Sequence, residues 1–181
     1  ASAFCRDHSV WLLLPLIEQR DNGPYNSAYL FNPLGKVEYV YDKTHLTARE
    51  KSEYNLMPGS RIATVQTDLC RVGVMICYDI YFPEVCDVLR LEGVQLILFP
   101  SLQRSDTDEN IMLLNRVRAM DATCYLVRSS YGRKASAHDP ERTTSGGSCI
   151  IGPDGSILAN AGSVEGFAVS RIDPHTPWCR P

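Results

Sequence analysis

Short apolar runs, strand-sized and cut off by turn residues, constrain this chain more than any other feature of its sequence. They recur at Trp11 to Ile17, Ala28 to Asn32, Val37 to Tyr41, Ile62 to Gln66, Val72 to Cys77, Val94 to Phe99, Tyr125 to Ser129, Ser148 to Ile151, Ser156 to Leu158 and Phe167 to Ile172. None approaches the ~18 apolar residues that a membrane helix needs, and the longest apolar stretch, Val10 to Ile17, is interrupted by Pro15. A soluble chain is expected. Asn32-Pro33-Leu34-Gly35 and Gly152-Pro153-Asp154-Gly155 set proline second and glycine fourth, as type I turns favour, so each predicts an antiparallel hairpin.

Helical patterns occupy only the centre. One starts at Pro83 with Glu84 in its first turn, carries Val85, Val88 and Leu89 on one face and stops at Gly93. The other runs from Asp108 to Ala122, with Leu113, Leu114, Val117 and Met120 as its apolar stripe and Asp106 with Glu109 as a capping box. Each precedes a buried strand. This order predicts an α/β (α+β layered) domain with both helices on one face of a mixed sheet. No repeat or Gly/Ser linker divides it, so residues 1–181 are read as a single domain.

Composition removes other classes. At 44% apolar and 22% charged the chain is neither disordered nor collagen-like. Lys+Arg 18 against Asp+Glu 21 gives −3 with no basic run, which excludes an evident nucleic-acid or anionic-membrane partner. The 7 cysteines lack a C-x-x-C pair or zinc-like spacing, as expected of reduced thiols in a cytoplasmic protein. The opening residues have neither an initiating methionine nor a signal-peptide pattern, so the numbered chain is not expected to begin where its gene does.

Cys77 looks chemical. It ends a buried strand, and a short turn separates it from the helix at Pro83, which would set the thiol at a strand's carboxyl edge beside free backbone N–H groups. A cysteine there is more often a small buried hydrophobe, and a nucleophile needs an activating partner. Lys43 also follows a strand, Val37 to Tyr41, and an ammonium near a thiol stabilises both thiolate and oxyanion.

Tyr41-Asp42-Lys43-Thr44-His45-Leu46 resembles the lysine motif of the nitrilase superfamily of carbon–nitrogen hydrolases, and residues 73–84, from Gly73 to Glu84, resemble its cysteine motif. The likeness extends over Tyr25 to Ala28, Asn32 to Gly35, Asn115 to Ala119 and Gly147 to Gly155, and so over essentially the whole chain.

The resemblance implies a four-layer α-β-β-α sandwich, incomplete at the amino end, that pairs through a helical face as a homodimer or higher homo-oligomer, and no metal or organic cofactor. It further implies that Cys77 attacks an amide, carbamoyl or nitrile carbon of a small molecule. Lys43 and the backbone N–H of Tyr78 would stabilise the tetrahedral species. Glu53, before the Pro58-Gly59 turn, is the expected support for the lysine, with Glu50 nearby. The family's catalytic glutamate lies before the strand that is Val10 to Leu16 here, so the general base is expected from sequence ahead of residue 1, and apolar surface facing that segment is expected to be exposed. Glu18 follows that strand and does not inherit the role.

Asp42, where the family commonly has arginine, and the lack of tryptophan after Pro100 point to an unusual pocket. A rival reading is a catalytically incomplete scaffold; a thiol redox protein is disfavoured because no resolving cysteine stands beside Cys77. His45 is expected to be a hydrogen-bonded structural residue, Ser145 to Ser148 a bend into a strand, and residues 101–109 a solvated loop at the pocket mouth.

Overall fold

The computed structural model describes residues 1–103, 106–132, 146–163 and 165–176. A short helix α1 (Ser2–His8), not expected from the sequence, leads into β1 (Leu12–Arg20), β2 (Gly23–Phe31) and β3 (Val37–Asp42), which form a three-stranded antiparallel sheet. A six-stranded sheet follows in the order β4 (Thr64–Gln66), β5 (Arg71–Val74), β6 (Leu96–Ser101), β7 (Tyr125–Ser130), β8 (Cys149–Ile151) and β9 (Ile157–Asn160). Helix α2 (Ala48–Ser52) lies between the sheets in sequence, α3 (Pro83–Leu91) connects β5 to β6, and α4 (Asp108–Ala122) connects β6 to β7. Those two crossovers make β5, β6 and β7 parallel, while the hairpin partners at the edges run antiparallel.

Both predicted proline turns close hairpins, with Gly35 N–H donating to Asn32 O at 2.8 Å and Gly155 N–H to Gly152 O at 2.9 Å. The first hairpin is longer than its apolar signal: Arg20 pairs with Gly23 across an Asp21-Asn22 turn, carrying polar residues that the run from Trp11 to Ile17 does not reach. Residues 167–172, expected as a strand, pair with nothing as a strand among the described residues, and Phe167 and Val169 stand exposed. Alternation of apolar residues is a weak strand signal, because a strand also needs its backbone paired with a neighbour.

The layers follow from the burial. Helices α3 and α4 cover one face of the six-stranded sheet, packing Val85, Leu89 and Ala119 on Ile97, Phe99 and Leu126. On the opposite face Val74 and Ile76 meet Ala28 and Tyr41, while Val72 meets Leu30, so the three-stranded sheet is the next layer. Its outer face leaves Leu14 and Leu16 exposed.

Two expectations for α4 need correction. Its buried residues are Ile111, Asn115, Arg118, Ala119 and Ala122, whereas Leu113 and Met120 of the expected stripe are exposed. Specific hydrogen bonds outweigh raw apolarity on that face: Arg118 Nε donates to Ile80 O at 2.7 Å and Asn115 Nδ2 to Ile111 O at 2.8 Å. The amino-terminal cap is Thr107, whose Oγ1 accepts the Asn110 N–H at 3.1 Å, and not Asp106.

Candidate active site

Strand alternation sets the first half of the site. Tyr41 and Lys43 fall on the inner side of β3 and its continuation, while Asp42 points the other way. There Arg20 donates two hydrogen bonds to Asp42, at 2.8 and 2.9 Å, so its carboxylate ties β3 to β1 rather than entering a pocket. Burial works against the Asp42 charge, but the Arg20 and Ser27 hydrogen bonds hold its carboxyl below the usual range. Glu18 is part of the same outer group, paired with Arg20.

Lys43 is 1% exposed. Its backbone is fixed by N–H donation to Asn26 O and by acceptance from Gly59 N–H, both at 2.9 Å. Glycine is required at position 59 by this close approach, because a Cβ there would lie 2.1 Å from Asp42 O. The Lys43 ammonium donates to both Glu50 oxygens at 2.7 Å. Glu50 is also the closing residue of a capping box, accepting the Thr47 N–H at 2.8 Å, and it has a third partner in Asn26, whose Nδ2 donates to it at 3.0 Å. Burial opposes its charge, yet Lys43, Thr47 and Asn26 together hold the Glu50 carboxyl below the ordinary value.

Glu53, the residue expected to support Lys43, instead pairs with Arg49 on the surface at 2.7 Å. One turn of α2 separates the roles: Glu50 faces inward, and Glu53, at the helix end, faces out. The Thr47-Ala48-Arg49-Glu50 capping pattern was the sequence signal that distinguishes them.

The second half is the turn after β5. Cys77 opens a 3-10 turn, Cys77–Tyr81, and adopts φ 49, a left-handed conformation that costs a non-glycine residue roughly 1–2 kcal/mol. That bend breaks the strand abruptly and leaves Cys77 half-buried, its thiol donating to Leu102 O at 3.4 Å. The following residue, Tyr78, is the second of the turn, and its ring packs edge-on against Phe82. Arg118 braces the turn from α4 through Ile80 O.

Asp79 fastens the two halves together. Fully buried, its carboxylate accepts the Ile76 N–H at 2.9 Å from the cysteine strand, and the Tyr41 hydroxyl at 2.9 Å and His45 N–H at 3.0 Å from the lysine segment. The His45 ring Nδ1 lies 3.1 Å from the same carboxylate and stacks on Phe82, as expected of a structural histidine. Burial, reinforced by the nearby Asp79 charge, pushes the Tyr41 phenol well up, so it stays a neutral donor. Nothing in the sequence alone marked Asp79 or Tyr41 as the connection.

Residues after β6 form the third wall. Gln103 Nε2 donates to the Tyr81 hydroxyl at 3.0 Å, and that hydroxyl donates to Asp106 at 2.6 Å. Burial and Asp106 push the Tyr81 phenol up to about 12. The expected loop of residues 101–109 is therefore partly built in, although residues 104 and 105 lie outside the described residues, as does Ser145 of the predicted bend. Cys77, Tyr81 and Gln103 follow the carboxyl ends of β5 and β6, the edge where α/β folds bind ligands. An apolar groove of about 540 Å³ between the sheets, lined in part by Trp11, Leu30, Leu69 and Leu98, contains neither Cys77 nor Lys43.

Comparison with known proteins agrees with this architecture. Omega-amidase NIT2 of Homo sapiens is 32% identical over 183 residues, covering 95% of this chain and 64% of its own length. Deaminated glutathione amidase of Mus musculus is 30% identical, covering 96% and 58%. The crystal structure of Saccharomyces cerevisiae Nit3, a member of the nitrilase superfamily, superposes with a TM-score of 0.85 at 30% identity, covering 96% of this chain and 63% of that one. The chain thus spans less than two thirds of the length of these relatives. Because the sequence profile described as carbon-nitrogen hydrolase matches residues 1–176, the chain belongs to that family, within the nitrilase superfamily.

Proposed function

We propose that this protein hydrolyses a non-peptide carbon–nitrogen bond of a small molecule, an amide in preference to a nitrile, with Cys77 as nucleophile. The Cys77 thiolate adds to the carbonyl carbon, and the Lys43 ammonium with the Tyr78 backbone N–H stabilises the oxyanion. Collapse expels the amine, which takes up a proton, and water then cleaves the thioester to release the acid. Among the described residues no carboxylate contacts Cys77. The general base is therefore assigned to the glutamate that the family resemblance sets ahead of the strand at residues 10–16.

The observation that carries this reading is the left-handed Cys77 on its tight turn, joined through Asp79 to a buried lysine whose charge is locked by Glu50. Glu50, in place of Glu53, is the proposed positioning residue for Lys43. A packing cysteine would require neither the strained backbone nor the buried ammonium. The exposed apolar side of α4, with Leu113 and Met120, supports pairing of two copies through the helical layer, and the scattered free thiols support a cytoplasmic setting.

The test is ammonia release from a set of small amides by full-length protein. Cys77→Ala is expected to lower the rate by at least about 10³-fold while leaving the fold intact. Equal turnover by wild type and Cys77→Ala would overturn the assignment.

A further inference from the structure

Helix α2, which carries Glu50, is five residues long and buries none of them. Packing therefore does not set the direction of the Glu50 side chain, and hydrogen bonds have to. Two such bonds reach each oxygen of its carboxylate. Lys43 supplies one to each, the Thr47 N–H completes Oε2 from inside the capping box of α2, and Asn26 Nδ2 completes Oε1 from β2. Among the described residues Asn26 is thus the one side chain besides Lys43 that fixes Glu50 from outside its own helix. A carboxylate only accepts, so the amide has to present its NH2 end here.

The same residue fixes the lysine. Asn26 O accepts the Lys43 N–H at 2.9 Å, so its main chain anchors the base of the lysine side chain while its amide, through Glu50, anchors the tip. Alternation along β2 sets Asn26 on the inner side with Ala28, whereas Ser27 turns outward to Arg20 and Asp42, which pair with each other. Lys43 and Glu50 are the charged groups on the Asn26 side. An ammonium carries three N–H groups, and the two bonds to Glu50 leave the third of Lys43 without an acceptor among the described residues. Where that third N–H points depends on how squarely the Glu50 carboxylate faces the nitrogen.

We propose that Asn26 is a positioning residue for the amide hydrolysis: its side-chain amide holds Glu50 two-pronged on the Lys43 ammonium, so that the third Lys43 N–H stays aimed at the oxyanion formed when Cys77 attacks. Asn26 acts through Glu50 and Lys43 and not on the reacting atoms. This inference rests on the amide-hydrolase reading, in which Lys43 stabilises that oxyanion.

The experiment follows ammonia release from acetamide, propionamide and butyramide by full-length wild type, Asn26→Ala and Asn26→Asp. Each variant keeps the main-chain bond to Lys43, so a difference belongs to the side chain. Asn26→Ala is expected to lower kcat about tenfold with KM within about twofold of wild type, as loss of one hydrogen bond to a charged group would. In Asn26→Asp two carboxylates face each other, and a proton taken up between them as pH falls makes one a donor again. Its kcat, as a fraction of the wild-type value at the same pH, is therefore expected to rise at least about threefold from about pH 8 to about pH 5. A merely structural role would leave that fraction flat. An unchanged kcat in Asn26→Ala, or a flat or falling fraction in Asn26→Asp, overturns the inference and leaves the amidase reading standing.

If wild type hydrolyses none of the three amides, the amidase reading fails, and the chemistry of Lys43 decides separately whether Asn26 holds the pair. A pulse of acetic anhydride followed by peptide mapping is expected to acetylate Lys43 several-fold faster in Asn26→Ala than in wild type, relative to the exposed Lys36 and Lys51. Equal relative rates overturn it. Should Asn26→Ala fail to fold by circular dichroism, Asn26→Ser, which also lacks the amide donor, replaces it in both measurements with the same expected and overturning results.

Discussion

Cys77 holds a backbone conformation that its own Cβ disfavours, and the surrounding contacts have to maintain it: the thiol on Leu102 O, the turn on Arg118, the strand end on Asp79. Glycine relieves the left-handed penalty at some cost in chain entropy, so Cys77→Gly is expected to be about 0.5–1 kcal/mol more stable than Cys77→Ala in urea denaturation. An alanine variant as stable as the glycine variant would show the turn to be unstrained. Glu50 gives a pH signature. Its folded-state pKa lies below the ordinary 4.5, so the unfolded chain binds the proton first as pH falls. The Lys43–Glu50 contribution is fully present above 4.5 and is lost as pH drops through the lower folded value. The Tm of wild type should therefore fall in that acid window, and that of Glu50→Gln should start lower and vary less across it; parallel curves would contradict the pairing. At this scale Cys77 and Lys43 were legible because each ends an apolar run. Asp79 was not, since its partners Tyr41, Thr44 and His45 are remote in sequence.

Between elements, the decisive link is the carboxylate of Asp79, which holds the end of β3 against the turn after β5 by accepting hydrogen bonds on both oxygens. In Asp79→Asn one oxygen becomes a donor facing other donors. The change is expected to destabilise the protein by about 2 kcal/mol and to lower kcat far more than it raises KM, because the lysine and cysteine segments separate while the wall after β6 stays in place. Chemical denaturation with steady-state kinetics on the same preparation measures both, and an unchanged kcat would remove Asp79 from the positioning role. The elements themselves were mostly readable: α3 and α4 begin and end where proline, threonine and glycine place them. The inner face of α4 was not readable, because counting apolar residues selects Leu113 and Met120, whereas the buried side is chosen by Arg118 reaching the Ile80 carbonyl. The stretch 167–172 shows the complementary limit, having strand-like residues that pair with no strand among the described residues.

Across the molecule, stacking a three-stranded sheet on a six-stranded one brings the end of β3 to the carboxyl edge of β5, β6 and β7. That meeting brings the cysteine turn and the lysine segment onto one shared carboxylate, Asp79. The layered class and both hairpins could be read from turn chemistry and run length. The match between sheets could not, since it depends on side chains such as Tyr41 and Val74 whose contacts no local pattern encodes. Everything proposed for the chemistry depends on Cys77 carrying the acyl group. Rapid quenching of full-length protein during amide turnover, followed by intact-mass and peptide mapping, examines that step without intermediary. The expected result is an added mass equal to the amide less ammonia, on the peptide that contains Cys77 and absent from Cys77→Ala. Acylation of another residue, or steady ammonia release by Cys77→Ala, would contradict it.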